Sequence, residues 1–88
     1  MMIGSTKMPR KMTNGDTTVN VVAHFMTRNM WEYYLLEKPD KDGIALALVE
    51  GDYQEIGDVS IPEIQEFVFL ATKDLSDLMP APNWEWCD

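Results

Sequence analysis

The side chains best suited to catalysis or metal binding are scarce in this chain, whose 88 residues include one histidine and one cysteine. A structural zinc site needs about four ligands and a catalytic one about three, so His24 and Cys87 alone cannot form one. We expect His24 to lie on the half-exposed face of a strand. The acidic neighbours Glu85 and Asp88 argue against a nucleophilic role for Cys87. The sequence therefore predicts a protein that is not an enzyme and that holds no metal or cofactor.

Two short motifs resemble functional sites but are better explained as local structure. If residues 40–43, Asp-Lys-Asp-Gly, were part of a calcium loop, Lys38 and Val49 would occupy ligand positions that require oxygen-bearing side chains. This segment is therefore predicted to be a hairpin turn. Ser60, with Pro62 and Glu63 close behind it, matches a helix capping box and so is not a candidate nucleophile.

Acidic side chains carry the strongest remaining signal. Several of them cluster around one predicted hairpin and strand, and two more lie in the preceding hairpin. Acids on the same face of a strand recur about every 6.6 Å, which makes a ladder of negative charge. Such a surface either keeps a small protein soluble or docks on lysine and arginine side chains. The candidate partner-binding residues are Glu50, Asp52, Glu55, Asp58, Asp40, Asp42, Trp31 and Tyr53, with Tyr34, Trp84 and Trp86 as further exposed aromatic anchors.

The charge is unevenly distributed along the chain. Residues 1–28 hold four Lys or Arg and one acid, or +3, whereas residues 29–88 hold three Lys and fourteen acids, or −11; the sum is −8. This acidic balance disfavours direct binding to nucleic acid or to an anionic membrane. A single cysteine and the absence of a long apolar run predict a cytoplasmic protein.

The elements that must position these residues follow from the apolar pattern. Alternating and apolar runs predict strands over 19–26, 31–37, 44–49 and 53–58, and the segment 84–88 is predicted to close the sheet. The capping box at Ser60 predicts a helix that extends to about Ala71. The sequence thus predicts an α+β fold, an antiparallel four- to five-stranded β-meander with one α-helix packed on one face. Residues 1–18 are predicted to form a flexible N-terminal arm, and residues 19–88 a single domain.

The central stretch resembles a small domain-of-unknown-function family encoded on plasmids, integrative elements and phages. The residues that carry the resemblance are His24-Phe25-Met26-Thr27, Trp31-Glu32-Tyr33-Tyr34, Glu37, Ala47-Leu48-Val49-Glu50-Gly51, Glu55-Ile56-Gly57-Asp58 and Ser60-Ile61-Pro62-Glu63-Ile64. The match departs at Asp58, where the family has an aromatic residue, and lacks the family's leading helix. The resemblance implies a compact meander with a helix and a mobile-element origin, and it implies no catalytic residue.

Together these observations predict a non-enzymatic interaction protein of a bacterial host cell. Its acidic surface would occupy a basic surface of a CRISPR effector or nuclease, as small anti-CRISPR proteins do, with nucleic-acid mimicry as the principle. The alternative is a structural or adaptor module of a mobile element that forms a homodimer through a strand edge or the Trp84/Trp86 tail. The chain would accordingly be a monomer or a homodimer.

Overall fold

The computed structural model describes residues 5–72 and 74–87, with side chains from residue 10 onwards. One short helix and two 3₁₀ turns, Gln65–Phe67 and Leu75–Asp77, interrupt a chain made mostly of strands. The elements are β1 (Ser5–Asn14), β2 (Thr17–Thr27), β3 (Glu32–Leu35), β4 (Ile44–Glu50), β5 (Gln54–Ser60), α1 (Ile61–Ile64), β6 (Val68–Thr72) and β7 (Glu85–Cys87).

All strands belong to one seven-stranded sheet with the order β5-β4-β3-β2-β1-β7, and β6 pairs with β2 outside this path. Every pairing is antiparallel. The long strand β2 is the organising element, because β3 pairs along one of its edges while β1 and β6 share the other in succession. The sheet is therefore a meander from β1 to β5. β7 adds to the outer edge of β1, and β6 pairs with the end of β2 that β1 leaves free.

Two hydrophobic cores form, and they lie on opposite faces of strands β3 and β4. The first core includes Phe25 and Leu35, and α1 contributes Ile61 and Ile64 to it. The second core lies between the sheet and the chain that leads to β7; its buried members are Met12, Val21, Tyr34, Leu48, Leu75, Ala81 and Trp84. Because successive residues of a strand face opposite sides, neighbours in β3 and β4 alternate between the two cores.

The antiparallel sheet and the short helix agree with the predicted mixed class, but the structure has seven strands where the sequence predicted four or five. The closing strand was predicted correctly, since β7 pairs with β1.

Residues 5–14 are the first difference from the prediction, because they form β1 and not a flexible arm. Met12 of β1 is fully buried. The two-residue loop Gly15-Asp16 closes the hairpin to β2, with Gly15 at a φ of +59°, as tight hairpins favour. Residues 1–4 of the predicted arm lie outside the described part of the chain.

The second difference concerns the helix, which ends at Ile64 and not near Ala71. Residues 68–72 instead form β6 on the free edge of β2. Val68 and Phe69 favour strands, and the ladder with β2 satisfies backbone groups that a longer helix would satisfy internally. Ser60 is at the predicted N-cap, but its side chain makes no capping hydrogen bond.

Candidate functional site

Strand β5 is an edge of the sheet, and within the described residues it pairs only with β4. The Ile61 amide donates to the Gly43 carbonyl at 2.8 Å, and the Gly51 amide to the Tyr53 carbonyl at 3.2 Å. These two bonds fix the phase of the β4–β5 ladder, because hydrogen-bonded and non-hydrogen-bonded pairs alternate in antiparallel sheets. It follows that Glu55, Gly57 and Val59 share backbone bonds with β4. The backbone groups of Gln54, Ile56 and Asp58 point away from the sheet.

Five of the predicted acids lie along this side of the molecule. Asp52 is exposed in the β4–β5 loop, Glu55 and Asp58 are exposed on β5 itself, and Asp40 and Asp42 are exposed in the loop before β4. Since Asp58 pairs with Leu46, near the start of β4, the acids run from one end of the edge to the other. We call these residues, Asp40, Asp42, Asp52, Glu55 and Asp58, the acidic edge.

The acidic edge is not the same-face ladder that the sequence suggested. Glu55 pairs with Val49 and Asp58 pairs with Leu46. Because the two acids are three residues apart on one strand, their side chains lie on opposite faces of the sheet. The charge therefore borders the edge from both sides and is not concentrated on one face.

Glu50, also predicted to bind a partner, instead belongs to a hydrogen-bond network inside the molecule. The Gln54 side-chain amide donates to Glu50 Oε2 at 2.7 Å and to the Pro82 carbonyl at 3.0 Å. The Trp84 indole donates to Gln54 Oε1 at 2.7 Å. Glu50 is half-buried, and the network attaches the C-terminal segment to the β4–β5 hairpin.

Among the predicted aromatic anchors, Tyr53 is the one that is strongly exposed, at 72%. Trp31 is half-buried beside Gly51, where an added Cβ would lie 2.7 Å from the indole ring. Tyr34 and Trp84 are buried in the second core, so their prediction as exposed anchors was wrong. Trp86 is half-buried, because its indole donates to the Leu78 carbonyl at 2.7 Å and Arg10 lies over its ring.

Asp40 has a structural role in addition to its charge. Its Oδ1 accepts hydrogen bonds from the amides of Asp42 and Ile44, at 2.8 and 2.9 Å. This is the local bonding by which aspartate fixes a turn. Gly43 adopts a φ of +79° and lies against Pro62, so the loop also contacts α1.

A hydrogen-bonded group around His24 was not predicted. The His24 side chain is 1% exposed, not half-exposed as the sequence suggested. Its Nε2 lies 3.1 Å from Glu32 Oε1 and its Nδ1 lies 3.0 Å from Thr72 Oγ1. Burial lowers the pKa of His24, and the Glu32 carboxylate opposes that shift. Because Glu32 offers only acceptor oxygens, Nε2 donates to it, and in the neutral ring that the lowered pKa favours, Nδ1 accepts from the Thr72 hydroxyl.

The His24 group joins β2 to β3 and to β6. Tyr34 contacts the same ring, with a centroid distance of 4.9 Å. Burial, together with Glu32 and Glu50, raises the pKa of Tyr34, so it stays protonated. A hydroxyl–imidazole–carboxylate chain is also the order of groups in some nucleophilic sites. Here the imidazole is buried and out of contact with solvent, and its hydrogen bonds stabilise the packing of β2, β3 and β6.

Within the described ranges, no group of three or more His, Cys, Asp or Glu residues is arranged to hold a metal ion. The same part of the chain contains no helix with the length and apolar character needed to cross a membrane. Comparisons with protein-family models, with curated proteins and with solved structures gave no match.

Proposed function

We propose that this chain is a non-enzymatic inhibitor of phage or mobile-element origin, acting in the cytoplasm of a bacterial host. Its acidic edge binds a basic surface of a nucleic-acid-handling defence protein, such as a CRISPR effector or a nuclease, and blocks nucleic acid from it. The observation that carries this proposal is the exposed strand edge β5, bordered by carboxylates and ending in the exposed Tyr53.

The charges of the acidic edge are not neutralised within the described structure. The one described contact between a basic and an acidic side chain is that of His24 with Glu32, which joins β2 to β3 and does not involve β5. Asp52, Glu55 and Asp58 thus have no lysine or arginine partner there. Like charges along one surface repel each other, and a cationic partner would remove this repulsion on binding.

The edge is also held in place before any partner binds. Trp31 supports Gly51 on one side of the hairpin, and the bonds among Trp84, Gln54 and Glu50 support the other. A surface that is already ordered loses less conformational entropy on binding. Tyr53 lies at the tip, where an aromatic side chain adds buried area to the contact.

The spacing of the acids indicates how nucleic acid would be excluded. Glu55 and Asp58 are three residues apart on β5, or about 10 Å of extended chain, and Asp52 lies in the loop before the strand. One strand of DNA carries a charge about every 3.4 Å. The acidic edge therefore takes the place of phosphates at only a few points. It excludes nucleic acid mainly by occupying the basic surface of the defence protein to which the nucleic acid would bind.

The test compares two variants that carry the same net charge. One combines Asp52→Lys, Glu55→Lys and Asp58→Lys on the acidic edge. The control combines Asp16→Lys, Asp77→Lys and Glu85→Lys, which are exposed positions elsewhere. DNA binding by a panel of purified bacterial CRISPR nucleases is measured by gel shift, with each protein as inhibitor.

We expect the wild-type chain and the control to inhibit at least one nuclease, and the edge variant to lose inhibition at least about tenfold. Inhibition of no nuclease, or equal inhibition by the two variants, would contradict the proposal. Circular dichroism verifies that both variants keep the sheet.

A second candidate function, homodimerisation in an adaptor module, is favoured by the apolar surface near β6. Phe67, Phe69 and Leu70 are 51%, 53% and 47% exposed, respectively. Exposed apolar side chains beside a strand edge are typical of protein contacts. A molar mass of two chains by light scattering, unchanged at high salt and lost in Phe69→Lys, would favour this function over the inhibitor.

A further inference from the structure

The edge strand β5 has backbone N–H and C=O groups that point outward and could bind a partner. The N–H and C=O groups of Gln54, Ile56 and Asp58 point away from β4 because of the phase of the ladder. Within the described chain no strand pairs with them. An exposed row of such groups is a template for another strand.

We propose that the acidic edge binds its partner by strand addition, in which an extended basic segment of the partner pairs with β5. This inference rests on the proposed function and specifies the kind of surface that the partner presents. Backbone hydrogen bonds from Gln54, Ile56 and Asp58 would supply affinity, and the side chains of β5 would select the sequence.

The side chains of β5 define the pattern that a segment must have. Glu55 and Asp58 favour Lys or Arg directly opposite, and Ile56, which is 45% exposed, favours an apolar residue. A Cβ built at Gly57 would meet nothing within 4 Å, so there is room for a large side chain across from it. In the antiparallel direction the preferred order is thus basic, large, apolar, basic.

A second copy of this chain is a poor occupant of the same edge. If two β5 strands paired antiparallel, the outward-facing residues Gln54, Ile56 and Asp58 would have to pair with one another, so a two-fold axis would pass through a residue. An axis at Glu55 places the two Glu55 side chains directly opposite each other, and an axis at Ile56 makes them diagonal neighbours. Directly opposed like charges destabilise a strand pair. The charge of the edge therefore selects a basic segment over self-pairing.

The first experiment uses a blocked peptide, Thr-Lys-Tyr-Val-Lys-Thr, with Val opposite Ile56 and the first Lys opposite Asp58. Amide exchange by NMR is the readout. In the free protein the amides of Ile56 and Asp58 should exchange fast and those of Glu55 and Gly57 slowly. Saturating peptide should slow exchange at Ile56 and Asp58.

N-methylation provides a matched control on the peptide backbone. Methyl groups on Val and on the first Lys remove the N–H groups that face β5, whereas methyl groups on Tyr and on the second Lys point to solvent. We expect the first peptide to bind at least about tenfold more weakly than the second. Equal affinities, or no protection of Ile56 with excess peptide, would overturn strand addition.

Variants of Ile56 test the same step from the protein side. Ile56→Pro removes the outward N–H but leaves the ladder to β4 intact, as proline on an edge strand allows. Ile56→Ala keeps that N–H and shortens the side chain. Binding of the unmethylated peptide should fall at least about tenfold in Ile56→Pro relative to Ile56→Ala. Equal binding would contradict the proposal, and NMR spectra verify both folds.

The two proposals fail in different ways. If the edge charge variant loses nuclease inhibition but Ile56→Pro keeps it, the acids act through side chains alone and strand addition is wrong. If both inhibit normally, the proposed function itself is wrong.

Discussion

The burial and the hydrogen-bond partners of His24 could not be predicted from the sequence. Its place in an alternating strand suggested a half-exposed position, because the residues that cover it are distant in sequence. Glu32 lies 8 residues away and Thr72 lies 48 away. Both partners belong to polar residue types that are common on surfaces, so nothing local marks them as a buried group. The group forms only because β6 pairs with β2, which brings Thr72 beside His24.

The His24 group predicts a stability that depends on pH. The folded state lowers the pKa of His24 below its usual 6.5, so the unfolded chain binds the proton more readily. Stability is therefore fully present above pH 6.5 and falls as the pH drops from there toward the folded pKa. The groups that face the ring are Glu32, Thr72 and Tyr34.

Urea unfolding between about pH 7.5 and 5.5 measures this effect. The free energy of unfolding of the wild-type chain should fall with acidification by up to about 1.4 kcal/mol per pH unit. His24→Gln should be less stable at the higher pH, because one amide cannot satisfy both Glu32 and Thr72, but its stability should depend less on pH. Parallel curves for the two proteins would contradict this role of His24.

At the scale of elements, the apolar strands were predictable and the polar ones were not. Residues 44–49 were predicted as a strand from a continuous apolar run, and β4 is found at Ile44–Glu50. β1 has a polar sequence with Met12 as its one fully buried side chain among those described. Its hairpin signal is the loop Gly15-Asp16 with glycine at the first position, but no apolar alternation precedes this loop.

Met12 provides a test of whether β1 is part of the folded unit. Met12→Ala should lower the free energy of unfolding by about 2–5 kcal/mol, as expected for a truncated core side chain. Lys11→Ala, at the exposed neighbouring position, should change it by less than about 0.5 kcal/mol. Urea unfolding of both variants measures the difference. Similar small effects would mean that residues 5–14 form the flexible arm that the sequence suggested.

The predicted helix shows that local sequence signals can also predict an element that is longer than the one that forms. A capping box and apolar residues at helical spacing predicted a helix from Ser60 to Ala71. The first turn does form, and Ile61 and Ile64 pack into the first core. After this turn, residues 68–72 do not continue the helix but pair with the free edge of β2. Tertiary pairing of this kind overrides helix propensity, and only the arrangement of strands reveals that the edge is free.

For the whole molecule, the distribution of charge was the most useful sequence observation. It directed attention to the β4–β5 hairpin, where the structure has exposed acids along the edge. Their arrangement was not predictable, because the face of each acid depends on register and Glu50 is drawn into a network with residues from the C-terminal segment. The unpaired outward backbone groups of β5 likewise could not be predicted, because they depend on the order of the strands in the sheet and not on the sequence of one segment.

The central claim is that the acidic edge captures a basic defence protein. The most direct measurement is the association rate constant with an inhibited CRISPR nuclease, by stopped flow, at about 50 mM and about 500 mM NaCl. For the wild-type chain and the off-edge control, the account predicts fast association that slows at least about tenfold at the higher salt. The variant with Asp52→Lys, Glu55→Lys and Asp58→Lys should associate slowly at both. A wild-type rate that is independent of salt, or an edge variant that associates like the control, would contradict it.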